Sequence, residues 1–504
     1  MWRWGDENVD WNGIEAAACF IADYCRRWGR FGGQAKEKYG CYDENTEVLT
    51  EAGWKFFRDL EPMDKLAILV DGEHLKYEPP TDIISYDYEG DMYSLRTRGV
   101  NLLVTPNHNL YVSRGDSAGT FPGGATQKSY PMEFTTYEKY YRKIKKFKKG
   151  ATWAGESPAI YTVPEYVSFW NNSKNSKREY FLPSIEFPME KWLSFLGWYV
   201  AEGCSSLKRG EIAICLNGTD GGLEAKEVSS ILQTLGISYK EHRRGSGTVL
   251  KIYSRQLAVW LDDNCGHLAQ NKKSPAFIKQ LSPRLIKIYL DALYKGDGHK
   301  SVTSNILTTV SKKLSDDVSE LLLKAGYSFK ISSRNRGLQA AYVLGRRIRS
   351  NFPVYEVNWL KKTTTHSTTT HDTKESILEK EKMVYYKGKV YCATVPGNLL
   401  YVRREGIPVW CGNSVRFYAS FGCYSLISLT HPGYHYTWSI WQPYVKFDNA
   451  VGDYIVRYTG LQAFFGWWQP KVYRRAYKLA LQRWPHLRQE ILCCADYSEL
   501  LEGL

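Results

Sequence analysis

Tyr289 to Gly298 reads YLDALYKGDG and Phe195 to Gly203 reads FLGWYVAEG; the two stretches repeat one pattern, and that repetition decides the fold. Each places small residues five and one positions before a carboxylate: Gly197 and Ala201 before Glu202, Ala292 and Gly296 before Asp297. Residues four apart share one face of a helix, so each segment offers a flat stripe that a second helix can approach closely. The acid ends the helix, and a glycine follows. A carboxylate at that end faces the negative pole of the helix dipole, which costs ~0.3 to 1 kcal/mol unless something positive sits nearby. Packing the two stripes face to face brings Glu202 and Asp297 together, and a shared metal ion is the natural compensation.

The repeat extends beyond the two helices. Val228 to Lys240 reads VSSILQTLGISYK, and ninety residues later Val318 to Lys330 reads VSELLLKAGYSFK, so a downstream helix is expected in each of two copies of one unit. One such helix alone would be an ordinary core helix with a glycine cap. Two matched copies resemble the LAGLIDADG homing endonucleases. The resemblance implies an α+β pseudo-twofold domain over residues 186–350 that hydrolyses double-stranded DNA with Mg²⁺ held by Glu202 and Asp297. The family has a lysine before a proline ahead of its second helix, and in NKKSP (271–275) either Lys272 or Lys273 fits.

Length and charge bound what else the chain can be. Its 504 residues should hold about three domains. The net charge of +14 is uneven: residues 1–40 sum to 0, residues 41–413 to +11 and residues 414–504 to +3. A basic middle points to a polyanionic partner, most simply nucleic acid. Eleven cysteines are too sparse for a disulfide scaffold, and no CxxC pair has metal spacing, so a reducing compartment is expected. The opening MWRWGDENVD lacks the apolar run of a signal peptide, and no stretch could span a membrane. A soluble, cytoplasmic protein, bacterial or phage-encoded, is the expectation.

The ends differ in composition from the middle. Residues 1–40 carry four tryptophans and residues 414–504 carry five, while the 373 residues between them carry eight. The ends therefore read as one small α/β protein, with a helix over Gly13 to Arg27, interrupted by another. The interruption opens at Cys41, where CYDENTEVLTEAGWKFF has strand character over Thr46 to Leu49 and a turn at Ala52 and Gly53. A second block, NLLVTPNHNLYV, sets Thr105 and His108 three apart, and a third, VYCATVPGNLLYVRREGIPVWCGNS, closes on Gly412, Asn413 and Ser414. Taken singly, Cys41 is a small thiol, His108 a core histidine and GNS a turn.

Together and in this order, the three blocks resemble the inteins of the Hedgehog/intein (Hint) family. The resemblance implies a mostly-β, horseshoe-shaped splicing domain formed by residues 41–135 and 376–413, with the nuclease inserted. A basic connecting segment (136–185) and a strand with a threonine-rich linker (351–375) join them. The family's chemistry would have Cys41 attack the Gly40 carbonyl, with Thr105 and His108 handling the scissile amide. Ser414 would then take the acyl group, and Asn413 would cyclise to release the insert and join Gly40 to Ser414. The DNA target would be the uninterrupted host gene. The alternative is a Hint fold limited to terminal cleavage beside an inactive DNA-binding nuclease, or a host protein with an activity of its own. Two departures stand out: family members often carry histidine where this chain has Gly412 and Asn398. Restoring one at 412 is expected to speed asparagine cyclisation. Cys392 stands where aspartate is frequent, and either tunes the thioester or packs.

Two further stretches are basic. Tyr137 to Lys149 interleaves aromatics with cations and suits either DNA phosphates or a solvated helix face. Arg334, Arg336, Arg346, Arg347 and Arg349 suit a groove-reading surface, and His366 and His371 lie in the threonine-rich linker. Joined, the ends read EKYGSVRFYASFG, which resembles short phage-type proteins only weakly and gives the host no legible activity.

Overall fold

The computed structural model describes residues 40–412 except 98, 107, 115–130, 136–144, 172–176, 218–221, 245–246, 301–303, 335–340, 344–345, 349–351, 361–367 and 370–380. Beyond 412 it describes the strands His435–Thr437, Tyr444–Asn449 and Gly452–Arg457 and a few positions between 478 and 485. The expected helix at Gly13 to Arg27, Asn413, Ser414, Arg336, Arg349, His366 and His371 lie outside the described residues.

Residues from both ends of the 41–412 segment build one β unit. Strand Tyr42–Asp43 pairs with Glu381–Thr394 on one side and Asn101–Val104 on the other, and Asp82–Arg96 closes a four-stranded barrel. Beside it, Ile407–Gly412, Leu399–Arg404, Thr46–Thr50, Leu66–Val70 and His74–Glu78 pair in that order, with Gly53–Phe56 joined to Thr46–Thr50. The expected strand and turn are found there. Gly53 sits at φ +120°, a conformation only glycine adopts readily.

The middle of the chain is a duplicated α/β unit. Helix α1 (Met189–Glu202) leads into strands Gly203–Ser206 and Glu211–Asn217, then α2 (Leu223–Thr234), then strands Tyr239–Arg244 and Gly247–Tyr253. A further helix, α3 (Arg255–Cys265), follows, with Ser254 capping it through a bond from the Leu257 N–H. The second copy has α4 (Pro283–Asp297), strands Gly298–Lys300 and Ser304–Thr309, α5 (Lys312–Lys324), and strands Phe329–Arg334 and Val354–Leu360. Each copy forms a four-stranded sheet with the same strand order.

Several expectations change at this level. The expected downstream helices are α2 and α5, and each matched stretch starting at Val228 or Val318 takes in the end of that helix, a glycine turn and the start of a strand. Gly236 (φ +67°) and Gly326 (φ +83°) make the turns, and the next N–H, of Ile237 or Tyr327, bonds back to Leu232 or Leu322 at 2.9 and 2.8 Å. Val354–Leu360 lies between two strands of the second sheet, so the duplicated unit runs to 360 rather than 350. The basic stretch turns inward at its end. Lys145 is buried and donates to Glu381 at 2.5 Å, and Phe147 and Lys149 are also buried, so this part is closed to DNA.

The duplicated unit does not close a core of its own. Leu49, Leu69, Leu75 and Trp410 of the β unit belong to the same apolar cluster as Trp192, Leu290 and Leu321 of the duplicated unit. Helix α5 carries the seam. Arg403, only 2% exposed, gives two hydrogen bonds to Glu47 at 2.7 Å and one to Asp316 at 2.8 Å, beneath the Trp54 ring. Trp54 Nε1 donates to Ser319 at 2.9 Å, and the Tyr77 hydroxyl donates to Glu320 at 2.9 Å. Removing one partner from a buried ion network leaves the others unpaired, at ~3–5 kcal/mol. Arg403→Ala is therefore expected to lower unfolding stability by about that amount. Breaking the exposed Lys295–Glu227 pair (side chains 51% and 38% exposed) should cost under ~1 kcal/mol. Urea unfolding of both variants checks the contrast, and equal costs would show that the seam is not the stabilising element described.

Candidate functional sites

The small-residue stripes bring α1 and α4 into backbone contact. A Cβ added at Gly197 would lie 2.6 Å from the Ala292 Cβ and 2.7 Å from the Tyr289 carbonyl oxygen. One added at Gly296 would collide with the Ala201 Cβ and sit 3.3 Å from Glu202 Cγ. The helices thus cross where only glycine fits, and both acids come to the floor of one cleft of ≈ 560 Å³. Each helix ends as expected, with the Gly203 and Gly298 N–H groups bonding to the carbonyls of Tyr199 and Tyr294.

Burial and mutual repulsion act on the acids. The Glu202 carboxyl is pushed up to about 7, first by burial and then by Asp297 and Glu224. Asp297 is pushed up to about 6 by burial, against the pull of Lys272. The positive group required at the helix end is Lys272. Its buried ammonium donates to the Tyr199 carbonyl at 3.1 Å and the Gly203 carbonyl at 2.9 Å, and stands 4.2 Å from the Tyr199 ring centroid. Lys273 contributes its backbone N–H to Cys265 at 2.9 Å. Of the two candidate lysines, Lys272 is the one placed with the acids. Two desolvated carboxylates that repel each other fit a divalent cation. Among the described residues no cluster of three His, Cys, Asp or Glu side chains surrounds such an ion, so water, backbone or phosphate oxygens would complete its shell.

A second site forms where the two ends of segment 41–412 meet. Cys41 is fully buried; its N–H donates to Thr105 Oγ1 at 2.9 Å, and the Thr105 N–H donates to the Cys41 carbonyl at 3.0 Å. The His108 N–H bonds to the Thr105 carbonyl at 3.0 Å, which turns the imidazole inward. Burial brings His108 down to about 4, offset in part by the backbone of Gly40 and of Gly412. The backbones of Gly40 and Gly412 therefore both lie against one imidazole. Tyr42, which the sequence did not single out, donates its hydroxyl to the Gly412 carbonyl at 2.6 Å and packs edge-on to His108 with centroids 4.3 Å apart. The thiol is not an accessible thiolate. Instead burial, and then the neighbouring Cys392 thiol, push Cys41 well above the usual range, while the Tyr86 hydroxyl pulls it back.

Gly412 is not a vacancy awaiting a histidine. A Cβ there would lie 2.5 Å from the Asn109 carbonyl oxygen and 2.8 Å from the Asn109 Cβ, and the Gly412 N–H donates to that same oxygen at 3.0 Å. The expected gain from histidine at 412 is withdrawn on these contacts. Asn398 sits in a tight turn at φ +56°, a conformation asparagine tolerates.

Residues 285–353 match a family model described as a LAGLIDADG-like domain. The chain is 25% identical over 483 residues to an ATP-dependent Clp protease proteolytic subunit of Chlamydomonas moewusii, covering 74% of this chain and 45% of that protein. It is 25% identical over 435 residues to a DNA-directed RNA polymerase subunit beta C-terminal section of Stigeoclonium helveticum, covering 78% and 38%. It is 24% identical over 396 residues to a ribonucleoside-diphosphate reductase subunit beta of Aquifex aeolicus, covering 74% and 50%. The chain spans half or less of the length of these relatives. Among solved structures, I-DmoI in complex with DNA and Ca aligns at 14% identity and a TM-score of 0.26, covering 34% of this chain and 84% of that one. Full-length DUF199/WhiA from Thermatoga maritima aligns at 9% identity and a TM-score of 0.23, covering 35% and 52%.

Proposed function

We propose that residues 41–413 are a self-splicing insert carrying a site-specific endonuclease, and that splicing joins Gly40 to Ser414. The observation that carries the reading is the meeting of both junctions at His108, with Tyr42 tied to Gly412. The relatives support it too. Three proteins whose names describe unrelated activities share most of this chain, and residues 41–413 are 373 of its 504, the same share as the 74% aligned in two of them.

In the first step the Cys41 sulfur attacks the Gly40 carbonyl carbon, and its proton passes to His108, neutral at pH 7. The C–N bond then breaks, and the imidazolium returns that proton to the Cys41 nitrogen. Thr105 holds the amide in place throughout. Ser414 takes the acyl group as an ester, Asn413 cyclises onto its own carbonyl, and an O to N shift leaves a normal peptide bond. A reduced Cys41 fits a cytoplasmic setting in a bacterial or phage-infected cell.

The cleft of Glu202 and Asp297 would hydrolyse double-stranded DNA of the uninterrupted host gene. A divalent cation such as Mg²⁺, held by these two acids, would supply a deprotonated water and stabilise the leaving oxygen. Lys272 fixes the end of α1 and offsets the charge of Asp297. Exposed Lys240 and His242 on the first sheet, and Lys330 and Arg334 on the second, suit contacts to phosphates. Intact-mass measurement after expression tests the splicing reading: products of 131 and 373 residues are expected. A persistent 504-residue species would overturn it.

A further inference from the structure

We propose that His267 is the general base that takes a proton from the attacking water at one of the two strand-cutting positions, with Asp262 fixing its tautomer. The inference rests on the nuclease reading and adds a residue to that site. His267 lines the same cleft as Glu202, Asp297 and Lys272, and its side chain is half exposed. Its Nδ1 lies 2.9 Å from Asp262 Oδ1, and the Ser205 hydroxyl donates to the same oxygen at 2.9 Å. A carboxylate can only accept there, so the neutral imidazole carries its proton on Nδ1 and offers the lone pair of Nε2 to the cleft. A carboxylate behind one nitrogen and a free lone pair on the other is the arrangement a proton acceptor needs.

The backbone around it is strained. Gly266 stands at φ +79° and ψ 154°, and a Cβ there would collide with the Asn271 carbonyl oxygen. Leu268 stands at φ +65° and ψ 156°, a region essentially reserved for glycine. Bonds from the Lys273 N–H to Cys265 and from the Asn271 N–H to Leu268 hold the loop closed. The loop presents His267 at the cleft while Lys272, five residues on, turns under the floor. Strain of this kind persists where the surroundings impose it, and it gathers at functional sites.

In the step, a water O–H bond breaks, its oxygen bonds to phosphorus, and its proton goes to Nε2. The bond from phosphorus to one bridging oxygen breaks, and that oxygen takes a proton from solvent. Asp262 steadies the imidazolium until it gives its proton back to solvent. Helix α3 and this loop belong to the first copy only, since Val354–Leu360 ends the second copy among the described residues. The effect of His267 should therefore fall on one strand.

The test uses full-length chain, Mg²⁺ and a supercoiled plasmid carrying the uninterrupted host-gene junction, comparing wild type with His267→Ala, His267→Gln and Asp262→Asn. Both His267 variants should accumulate nicked circle, with the nick mapping to one strand and the second cut slowed about 10²- to 10⁴-fold. Asp262→Asn should act in the same direction and more weakly. DNA affinity by gel shift and the melting temperature should stay at wild-type values. Linear product at the wild-type rate, equal slowing on both strands, or a rate loss matched by an equal affinity loss would each overturn the proposal. A wild-type chain that neither binds nor cuts the plasmid would overturn the nuclease reading itself, a different result from any of these.

Discussion

Changing Glu202 and Asp297 together to alanine is expected to abolish metal-dependent DNA cleavage, leave the splicing products unchanged, and raise the melting temperature of the metal-free protein at neutral pH. Both carboxyls are raised on folding, Glu202 from 4.5 to about 7 and Asp297 from 3.8 to about 6. A raised carboxyl favours the fold while protonated, so that contribution is complete below about pH 4. It is lost as pH climbs through 6 and 7. Above pH 7 the metal-free wild type holds two ionised acids that burial and repulsion disfavour, and the variant holds none. The melting curves of the two proteins should converge near pH 4 and separate in the variant's favour toward pH 8. Mg²⁺ should then stabilise the wild type alone, by ~2.7 kcal/mol at a hundredfold excess over its dissociation constant. Retained cutting would remove the acids from the metal site. A variant less stable than wild type at pH 8 would remove the repulsion argument.

Cys41→Ala should stop the reaction at its first bond, leaving the precursor uncleaved at Gly40, and Asn413→Ala should prevent release of the C-terminal segment. The double variant should yield only the 504-residue species. The buried surroundings make a further demand on the first step. The Cys41 thiol stays protonated well beyond neutral pH, and His108 is uncharged above about 4. Neither group changes state between about pH 5 and 8. The first acyl shift, followed in Asn413→Ala by thiol-induced cleavage, should therefore be nearly flat over that range and fall below about pH 4, where His108 charges and ceases to accept. A rate rising tenfold per pH unit would mean that a free thiolate attacks. A ligated 131-residue product from the double variant would mean that the junctions are elsewhere.

What the sequence made legible was local. The stripe of Gly197, Ala201, Ala292 and Gly296 encodes a close helix pair because spacing on a helix is fixed by geometry, and the acids follow at the helix ends. The turn that joins Thr105 to His108 was likewise marked by a short spacing, and the strand at Thr46 by alternation. Residues whose role depends on a distant partner gave no such signal. Asp316, Asp317 and Glu320 carry no short-range mark of burial, yet Arg403 reaches Asp316 and Lys279 reaches Asp317 and Glu320 from elsewhere in the chain, beside Lys324 of the same helix. Lys145 read as a cation free for phosphate, and its partner Glu381 lies 236 residues away. Gly412 read as a missing histidine because nothing nearby in sequence announces Asn109 against its Cα. His267 gave no signal, because its carboxylate matters only once the loop folds over the cleft.

The core shared by the β unit and the duplicated unit also limits how such an insert can be shortened. Cutting out the duplicated unit to obtain a compact ligation tag would strip the cover from Leu49, Leu69, Leu75 and Trp410, and would take Asp316 from Arg403. The remnant would need that sheet face resurfaced with polar side chains before it stayed monomeric. Decay by substitution carries no such handicap, since an acid lost from the cleft leaves the cover in place. Descendants of this chain that have lost Glu202 or Asp297 should therefore be full-length more often than truncated.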